Sequence, residues 1–169
     1  MSKAGGAAMT GALLTLIVLA APAIAAPRQT PSGLPVPRYV TLKFDKVNAR
    51  AGPGDDYPAR WVYRVPGLPV QVVAETAEWR KVCDPEGQSA WVHRRTTDGA
   101  RSVMRLAPGA VPLKAKADAS SRTVAILPAR GLAGLDKCKG GWCRLKGRGG
   151  AGWVQQSAVW GLNEAPQCR

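Results

Sequence analysis

The sequence predicts an all-β protein that contains two copies of one small β unit. Between residues 39 and 163, short runs rich in Val, Tyr, Trp and Thr alternate with Gly, Pro and Asp, as in chains built from hairpins. Few segments show helical periodicity over a useful length. The second half of the chain also repeats the pattern of the first half. We therefore expect two similar small domains, each of them marginal in size when alone.

The first 25 residues are predicted to be a secretory signal peptide. Lys3 gives a weakly positive start, Leu13 to Ala21 is apolar, and Ala23-x-Ala25 fits a small-residue cleavage site. The apolar run is shorter than the roughly 20 residues of a transmembrane helix, and an uncleaved anchor is the alternative. We expect a mature chain that starts at Ala26, has no transmembrane span and is periplasmic or secreted.

Residues 26–38 are rich in proline and are predicted to form a flexible leader. The whole chain carries a formal net charge of +13, which favours anionic partners such as nucleic acid, anionic lipid or cell-wall acids. A merely solvated basic surface is the alternative. Export argues against nucleic acid as the everyday ligand, so no nucleic-acid partner is expected.

The even number of cysteines in an exported chain predicts disulfides. The four cysteines are Cys83, Cys138, Cys143 and Cys168. A two-residue hairpin at Gly140-Gly141 would bring Cys138 and Cys143 face to face, within disulfide range. Cys83 with Cys168 then follows by elimination, and a free Cys83 is the alternative. A C-x4-C spacing with one histidine in the chain does not match the usual zinc-ligand spacings, and no metal is expected.

The internal repeat defines the domain boundaries. When the two halves are aligned, Trp79 falls on Trp142, Trp91 on Trp153, and "VNARAGPG" on "VPLKAKAD". The predicted units are residues 39–97 and 106–163, joined by a linker at 98–105 and followed by a tail at 164–169. The four repeated tryptophans are expected in the two cores, and Trp160 is expected between the copies.

The stretch "VNARAGPGDDYP" resembles the opening signature of bacterial SH3 domains, V-N-[apolar]-R-x-G-P-[small] followed by Tyr-Pro. "AWVH" and, in the second copy, "GWCRL" and "GWV" resemble tryptophan strands of that family. Two departures are Ala90 in place of the usual glycine and Lys116-Ala117-Asp118 in place of Gly-Pro-Gly. The resemblance implies two small, partly open SH3-like barrels in tandem. It also implies a non-catalytic module that binds peptidoglycan peptides or another envelope component.

The first copy is expected to carry the principal ligand site, because only this copy keeps the full signature. The candidate residues are Asn48, Arg50, Asp55, Asp56, Tyr57, Trp61 and Tyr63. Exposed aromatic rings beside a few charged groups are a common binding-site chemistry. Trp61 and Tyr63 share one strand face by period-two spacing, and the alternative is that this face belongs to the core. Asn48 can also serve the backbone of its own loop rather than a ligand.

The sequence offers little for catalysis. His93 is the only histidine, and motifs such as Gly-x-Ser-x-Gly, His-Glu-x-x-His or a phosphate loop are absent from the sequence. No enzyme activity and no cofactor are therefore expected. The alternatives to envelope binding are a periplasmic interaction scaffold for an envelope enzyme and, more weakly, a basic nucleic-acid-binding barrel. The sequence does not determine the oligomeric state.

Overall fold

The computed structural model describes residues 1, 30–163 and 165–168, so the signal-peptide prediction lies almost entirely outside the described residues. The strands are β1 (Arg38–Leu42), β2 (Val47–Arg50), β3 (Ala59–Tyr63), β4 (Pro69–Glu75), β5 (Trp79–Cys83), β6 (Ser89–His93), β7 (Thr97–Asp98), β8 (Ser102–Met104), β9 (Val111–Lys114), β10 (Thr123–Leu127), β11 (Leu132–Lys139), β12 (Trp142–Gly147) and β13 (Gly150–Gln155). Short 3₁₀ turns at Arg94–Thr96 and Gln156–Ala158 follow β6 and β13. In the described part of the chain, no helix is long and apolar enough to span a membrane.

The strands form two sheets of the same design. The first sheet has the order β3-β2-β6-β5-β4-β1-β7 and the second has the order β10-β9-β13-β12-β11-β8. The first six positions correspond one to one, and β8 takes the place of β1. The position of β7 is filled in the second sheet by Trp160, which bridges Met104. The prediction of an all-β fold with two similar tandem units is confirmed, and we call them the first repeat (β1–β7) and the second repeat (β8–β13).

Each repeat has its own core, built by alternation along the strands. In the first repeat the fully buried side chains include Val47, Val70, Val72, Val82 and Val92. In the second repeat they include Val103, Cys143, Leu145 and Val154. Because successive side chains in a strand point to opposite faces, the residues between these valines and leucines lie on the outer face of each sheet.

Strand β8 belongs to both cores. Val103 is buried in the second core, whereas the next residue, Met104, is buried in the first core together with partly buried Leu132. Residues 98–105 were predicted to be a linker, and this prediction is wrong for β8, which pairs with β11 over Ser102–Met104. Strand β8 has only three residues, which is too short for an alternating pattern to be recognised. It is also flanked by the polar residues "DGAR" and Arg105, which are typical of a loop.

The Cys138–Cys143 disulfide lies where the hairpin geometry predicts it. Gly140 and Gly141 have φ values of 57° and 77°, the left-handed conformations that a tight two-residue hairpin turn requires. The turn sets the register, so that Cys138 pairs with Cys143 at a Cα–Cα distance of 4.0 Å. The prediction from local sequence is confirmed.

The C-terminal tail returns to the first repeat and is held there. The side-chain amide of Gln71, which is fully buried, donates to the carbonyl oxygens of Asn163 and Ala165 and accepts from the backbone N–H of Gln167. Cys168 then forms a disulfide with Cys83, 85 residues earlier in the chain. Trp160 lies edge-on to Tyr39, with ring centroids 5.1 Å apart, so it packs between the copies as expected.

The described part of the leader is bound to the first repeat rather than free. Glu75, whose side chain is almost fully buried, accepts hydrogen bonds from Ser32 and forms an ion pair with Arg38. Burial alone would raise the pKa of Glu75, but hydrogen bonds from Ser32, Thr30 and Arg38 outweigh burial and lower the pKa to about 2. The predicted flexibility of residues 26–38 is therefore wrong for residues 30–38, because the ion pair and hydrogen bonds offset the low sheet propensity of the prolines.

Candidate ligand-binding site

The outer face of the first sheet carries the tryptophans that were expected in the core. Val47 and Ala49 point into the first repeat, so Asn48 and Arg50 point outward. By the same alternation, buried Ala90 and Val92 leave Trp91 and His93 on the outer face.

The four repeated tryptophans, Trp79, Trp91, Trp142 and Trp153, are not members of the two hydrophobic core clusters. Trp79 is nevertheless buried, at 8% exposure, whereas the other three are half-buried. The expectation of core packing is therefore wrong for Trp91, Trp142 and Trp153, because the cores are filled by smaller valines and leucines.

Cross-strand pairing brings the outer-face side chains of β2, β5 and β6 together. Arg50 lies opposite Trp91, and Trp79 lies opposite His93. The result is a shallow groove of about 190 Å³. It is lined by Lys46, Asn48, Arg50, Asp55, Trp79, His93, Arg95 and Thr96. We call these eight residues the first-repeat groove.

Arg50 shapes the groove and uses most of its donors to do so. Its guanidinium lies 5.9 Å from the centroid of the Trp79 ring. It also donates to the carbonyl oxygens of Asp55 and Tyr57, at 2.9 and 2.7 Å, and to the Asp55 carboxylate at 3.0 Å. These contacts close the loop between β2 and β3 over the guanidinium. Arg50 therefore positions the loop and the indole ring more than it offers free donors to a ligand.

His93 forms the opposite wall of the groove. Its ring centroid is 5.2 Å from that of Trp79, in an edge arrangement that covers the indole. Nδ1 accepts a hydrogen bond from the backbone N–H of Arg95, and Nε2 lies 3.5 Å from the Glu78 carboxylate. Trp79 is consequently only 8% exposed, although it lies on the outer face. The His93 and Trp79 rings thus form one packed aromatic wall of the groove.

The remaining polar groups of the groove are available to a ligand. The Asn48 side chain is exposed and makes no hydrogen bond to the part of the chain that the structure describes. Lys46 and Arg95 are exposed cations, and the Asp55 carboxylate is 78% exposed despite its contact with Arg50. An amide and charges of both signs therefore surround one small depression.

The structure separates the predicted site residues into two groups. Asn48, Arg50 and Asp55 lie in the first-repeat groove, whereas Asp56 is exposed in the loop outside it. Tyr57 is 46% exposed, but its ring lies against the backbone of the loop. A Cβ at Gly52 would be 2.3 Å from Tyr57 Cδ1, so the signature glycine makes room for this ring.

Trp61 and Tyr63 do not form an exposed groove. Tyr63 is only 8% exposed, and its hydroxyl donates to the buried Asp84 carboxylate at 3.0 Å. Burial and, next, the Asp84 charge raise the pKa of Tyr63 above its usual value. Trp61 is half-buried against the first core and lies edge-on to Tyr63. The expectation that Tyr63 contacts a ligand is corrected, because its strand face is turned into the barrel.

Sequence reasoning missed Lys46, Trp79, His93, Arg95 and Thr96 as groove residues. The hairpin between β5 and β6 contained a usable signal. Its loop, "DPEGQ", pairs Cys83 with Ser89, and counting outward from that pair places Trp79 opposite His93. The position of β2 beside β6 could not be counted in this way, because that pairing joins segments about 40 residues apart.

The second repeat reproduces the frame of the site with different side chains. Lys114 lies opposite Trp153, as Arg50 lies opposite Trp91, and Trp142 pairs with Gln155, as Trp79 pairs with His93. The aligned position of Asp55 is Ala119. Among the described residues no cluster of His, Cys, Asp and Glu is arranged to hold a metal ion.

The sequence matches one family model, and the solved structures that it matches include two weak structural similarities. The family model for the bacterial SH3 domain matches twice, at residues 43–99 and 101–161. Solved structures of NlpC1 and NlpC2 from Trichomonas vaginalis are each 12% identical in sequence. The alignments cover 74% and 73% of this chain, with TM-scores of 0.33 and 0.32, and 46% and 48% of those chains. This chain thus spans about half their length. Among curated proteins, none matches the sequence.

Proposed function

This chain belongs to the bacterial SH3 domain family, and on that premise we propose that it is a non-catalytic binding protein of the cell envelope whose first-repeat groove binds peptidoglycan peptides. Such peptides carry free carboxylates, amide bonds and amino groups along a short extended chain. A site for them needs both signs of charge, an amide partner and an apolar wall. The first-repeat groove combines the charges and the amide in one depression, and the His93 ring, packed on the buried Trp79, forms its wall.

The observation that carries the proposal is the set of free polar groups around the Trp79 wall. Lys46 and Arg95 are placed to pair with ligand carboxylates, and the exposed Asp55 carboxylate is placed to pair with an amino group. The unengaged Asn48 amide can both donate to and accept from a peptide bond. Arg50 holds the loop in place, so Asp55 is positioned before a ligand arrives, which reduces the entropic cost of binding.

Two disulfides fit an oxidising compartment, and they support an extracytoplasmic, periplasmic or secreted location. The Cys83–Cys168 bridge also removes the thiol that a cysteine-based activity would need. Binding without a chemical step is therefore the function that these residues support best.

The test is co-sedimentation of residues 26–169 with purified peptidoglycan sacculi over a series of salt concentrations. Asn48→Ala and Arg95→Ala should each weaken binding, because both side chains line the groove and neither is part of a hydrophobic core. Gln155→Ala is the control, since Gln155 is an exposed polar residue outside the first-repeat groove, at the second-repeat position that corresponds to His93. A second arm uses sacculi from which an amidase has removed the peptides.

Loss of binding in both variants and on the peptide-free sacculi would support the proposal. Equal binding to intact and peptide-free sacculi would contradict a peptide ligand. Binding that disappears with moderate salt in all proteins alike would indicate general attraction to the basic surface instead.

A protein partner is the second candidate, and one feature of the second repeat favours it. Strand β10 lies at the edge of its sheet, and Ile126 on this strand is 67% exposed. An apolar cavity of about 270 Å³ lies beside it, lined in part by Leu127, Leu132 and Ala133. Edge strands next to apolar pockets can bind an extended segment of another protein. Crosslinking in the periplasm from a photoreactive residue at position 126 would capture such a partner.

A further inference from the structure

The positive charge of the protein is concentrated in the second repeat. Between residues 39 and 98, nine lysines and arginines are nearly balanced by eight acidic residues. Between residues 101 and 163, eleven lysines and arginines face only two acidic residues, Asp118 and Asp136. The two repeats share one architecture, so the barrel fold itself does not require this imbalance. The excess of positive charge is therefore a property of the surface residues of the second repeat and not of the fold that the two repeats share.

Strand register arranges part of this charge in a row. Lys137 lies opposite Arg144, Arg144 opposite Trp153, and Trp153 opposite Lys114, across β11, β12, β13 and β9. Paired residues on neighbouring strands project to the same face. The neighbouring residues Cys143 and Val154 are buried, so the row lies on the outer face. Strands are about 4.8 Å apart, and the four-strand row therefore spans roughly 14 Å.

A second row extends the surface toward the tip of the hairpin, where Lys139 lies opposite Trp142. We call Lys114, Lys137, Lys139, Trp142, Arg144 and Trp153 the cationic face. The Lys137 ammonium lies 6.0 Å from the centroid of the Trp153 ring, so cation and ring are close neighbours on this surface.

Among the described residues, Asp136 is the one carboxylate that forms an ion pair with the cationic face. Asp136 forms ion pairs with Arg144 and Lys146, both at 2.9 Å. Within the described residues, none of the three lysines of the face, Lys114, Lys137 and Lys139, lies within ion-pair distance of a carboxylate. Three exposed or half-exposed ammonium groups thus lie beside two half-buried indole rings, and none of the three is in an ion pair with a described carboxylate.

We propose that the cationic face binds a linear anionic polysaccharide. Indole rings stack against the apolar faces of sugar rings, and the lysines pair with carboxylate or phosphate groups spaced along a chain. A row of about 14 Å fits a polymer better than one small anion. The inference goes beyond the proposed function, because it concerns the other repeat and a different ligand.

Two features select a polysaccharide over other polyanions. The large exposed hydrophobic side chains of the described residues, such as Phe44, Val65 and Ile126, lie outside the cationic face, and its two indole rings are half-buried, so it has no fully exposed apolar side chain to insert into a bilayer. The two disulfides fit an oxidising compartment, where glycans rather than nucleic acids are the common linear polyanions.

The test measures binding of residues 26–169 to alginate, a linear polysaccharide of carboxylated sugars, by the change in tryptophan fluorescence. Neutral dextran, a single-stranded oligonucleotide and phosphatidylglycerol vesicles are the comparison ligands. The triple variant Lys114→Gln/Lys137→Gln/Lys139→Gln removes the free charges of the cationic face. The control Lys43→Gln/Arg60→Gln/Arg64→Gln removes the same charge from exposed positions of the first repeat.

We expect the face variant to bind alginate at least about tenfold more weakly, with a shallower salt dependence, and the control to change by less than about threefold. Trp153→Phe should remove most of the fluorescence change while circular dichroism remains that of the folded protein. Equal losses in the two triple variants would overturn the proposal, because only total charge would then matter. Tighter binding to the oligonucleotide or to the vesicles than to alginate would also overturn it.

Discussion

Removing the Cys83–Cys168 bridge is expected to destabilise the protein much more than removing Cys138–Cys143. The two bridges close loops of very different length, with sequence separations of 85 and 5 residues. In the chain-entropy description a disulfide acts by restricting the unfolded chain, and its effect grows with the logarithm of the loop length. That relation gives about 4.6 kcal/mol for the long loop and about 2 kcal/mol for the short one.

The structure adds a second contribution to the long bridge. Cys168 ends the segment that Gln71 holds by three hydrogen bonds, and these contacts cover a fully buried amide. If the tail detaches, the Gln71 amide loses its hydrogen-bond partners, and a buried amide without partners costs about 1–3 kcal/mol unless water replaces them. The bridge and the Gln71 contacts should therefore be lost together.

The assay is urea denaturation at 25 °C, followed by far-UV circular dichroism. Wild type is compared with Cys83→Ala/Cys168→Ala and with Cys138→Ala/Cys143→Ala. The same three proteins are then measured with a reducing agent, where they differ only in their side chains and report the cost of the substitutions themselves. After this correction, an equal or larger loss in the short-loop variant would refute the reasoning, because it would mean that loop length and the tail contacts do not set the stability.

Three further predictions concern local features. Hydrogen bonds hold the pKa of Glu75 at about 2, below its usual 4.5, so the stability that the Glu75 carboxylate contributes is fully present above pH 4.5 and is lost as the pH falls toward 2. Glu75→Gln should therefore reduce the dependence of the unfolding free energy on pH between 4.5 and 2 in denaturation experiments. Gly52→Ala should cost about 1–3 kcal/mol, because its Cβ would overlap the Tyr57 ring, and in a Tyr57→Ala background the same substitution should cost less in a double-mutant cycle. Gly141→Ala should cost about 1–2 kcal/mol in thermal unfolding, because Gly141 has a φ of 77°, whereas Gly141→Asn should cost less; equal costs would exclude backbone conformation as the cause.

Features set by neighbouring residues could be predicted from the sequence. A two-residue glycine turn determines which residues of its hairpin face each other, so the Cys138–Cys143 pair followed from local geometry. Asn48, Arg50 and Asp55 were found for the same reason, because one strand and its following loop carry all three. The similarity of the two sheets also followed from one repeated pattern of strands and turns, although their strand order did not.

The other half of the groove could not be predicted in this way. Trp79 and His93 reach it only because β6 pairs with β2, which brings together segments far apart in the chain. The same limitation explains the error at Tyr63. Period-two alternation defines two faces of a strand but does not say which of them the barrel will enclose.

The sequence by itself determined the strands, the turns, the internal repeat and the local disulfide, because each depends on the backbone preferences and spacing of nearby residues. Only the tertiary structure decided which faces became cores, why β8 serves two of them, and which charges lie beside the outer tryptophans. Those outcomes depend on pairing between distant strands, and its free energy comes from burying the small valines and leucines inside the barrels. Trp91, Trp142, Trp153 and the lysines of the cationic face were thereby left on the outer faces of the sheets.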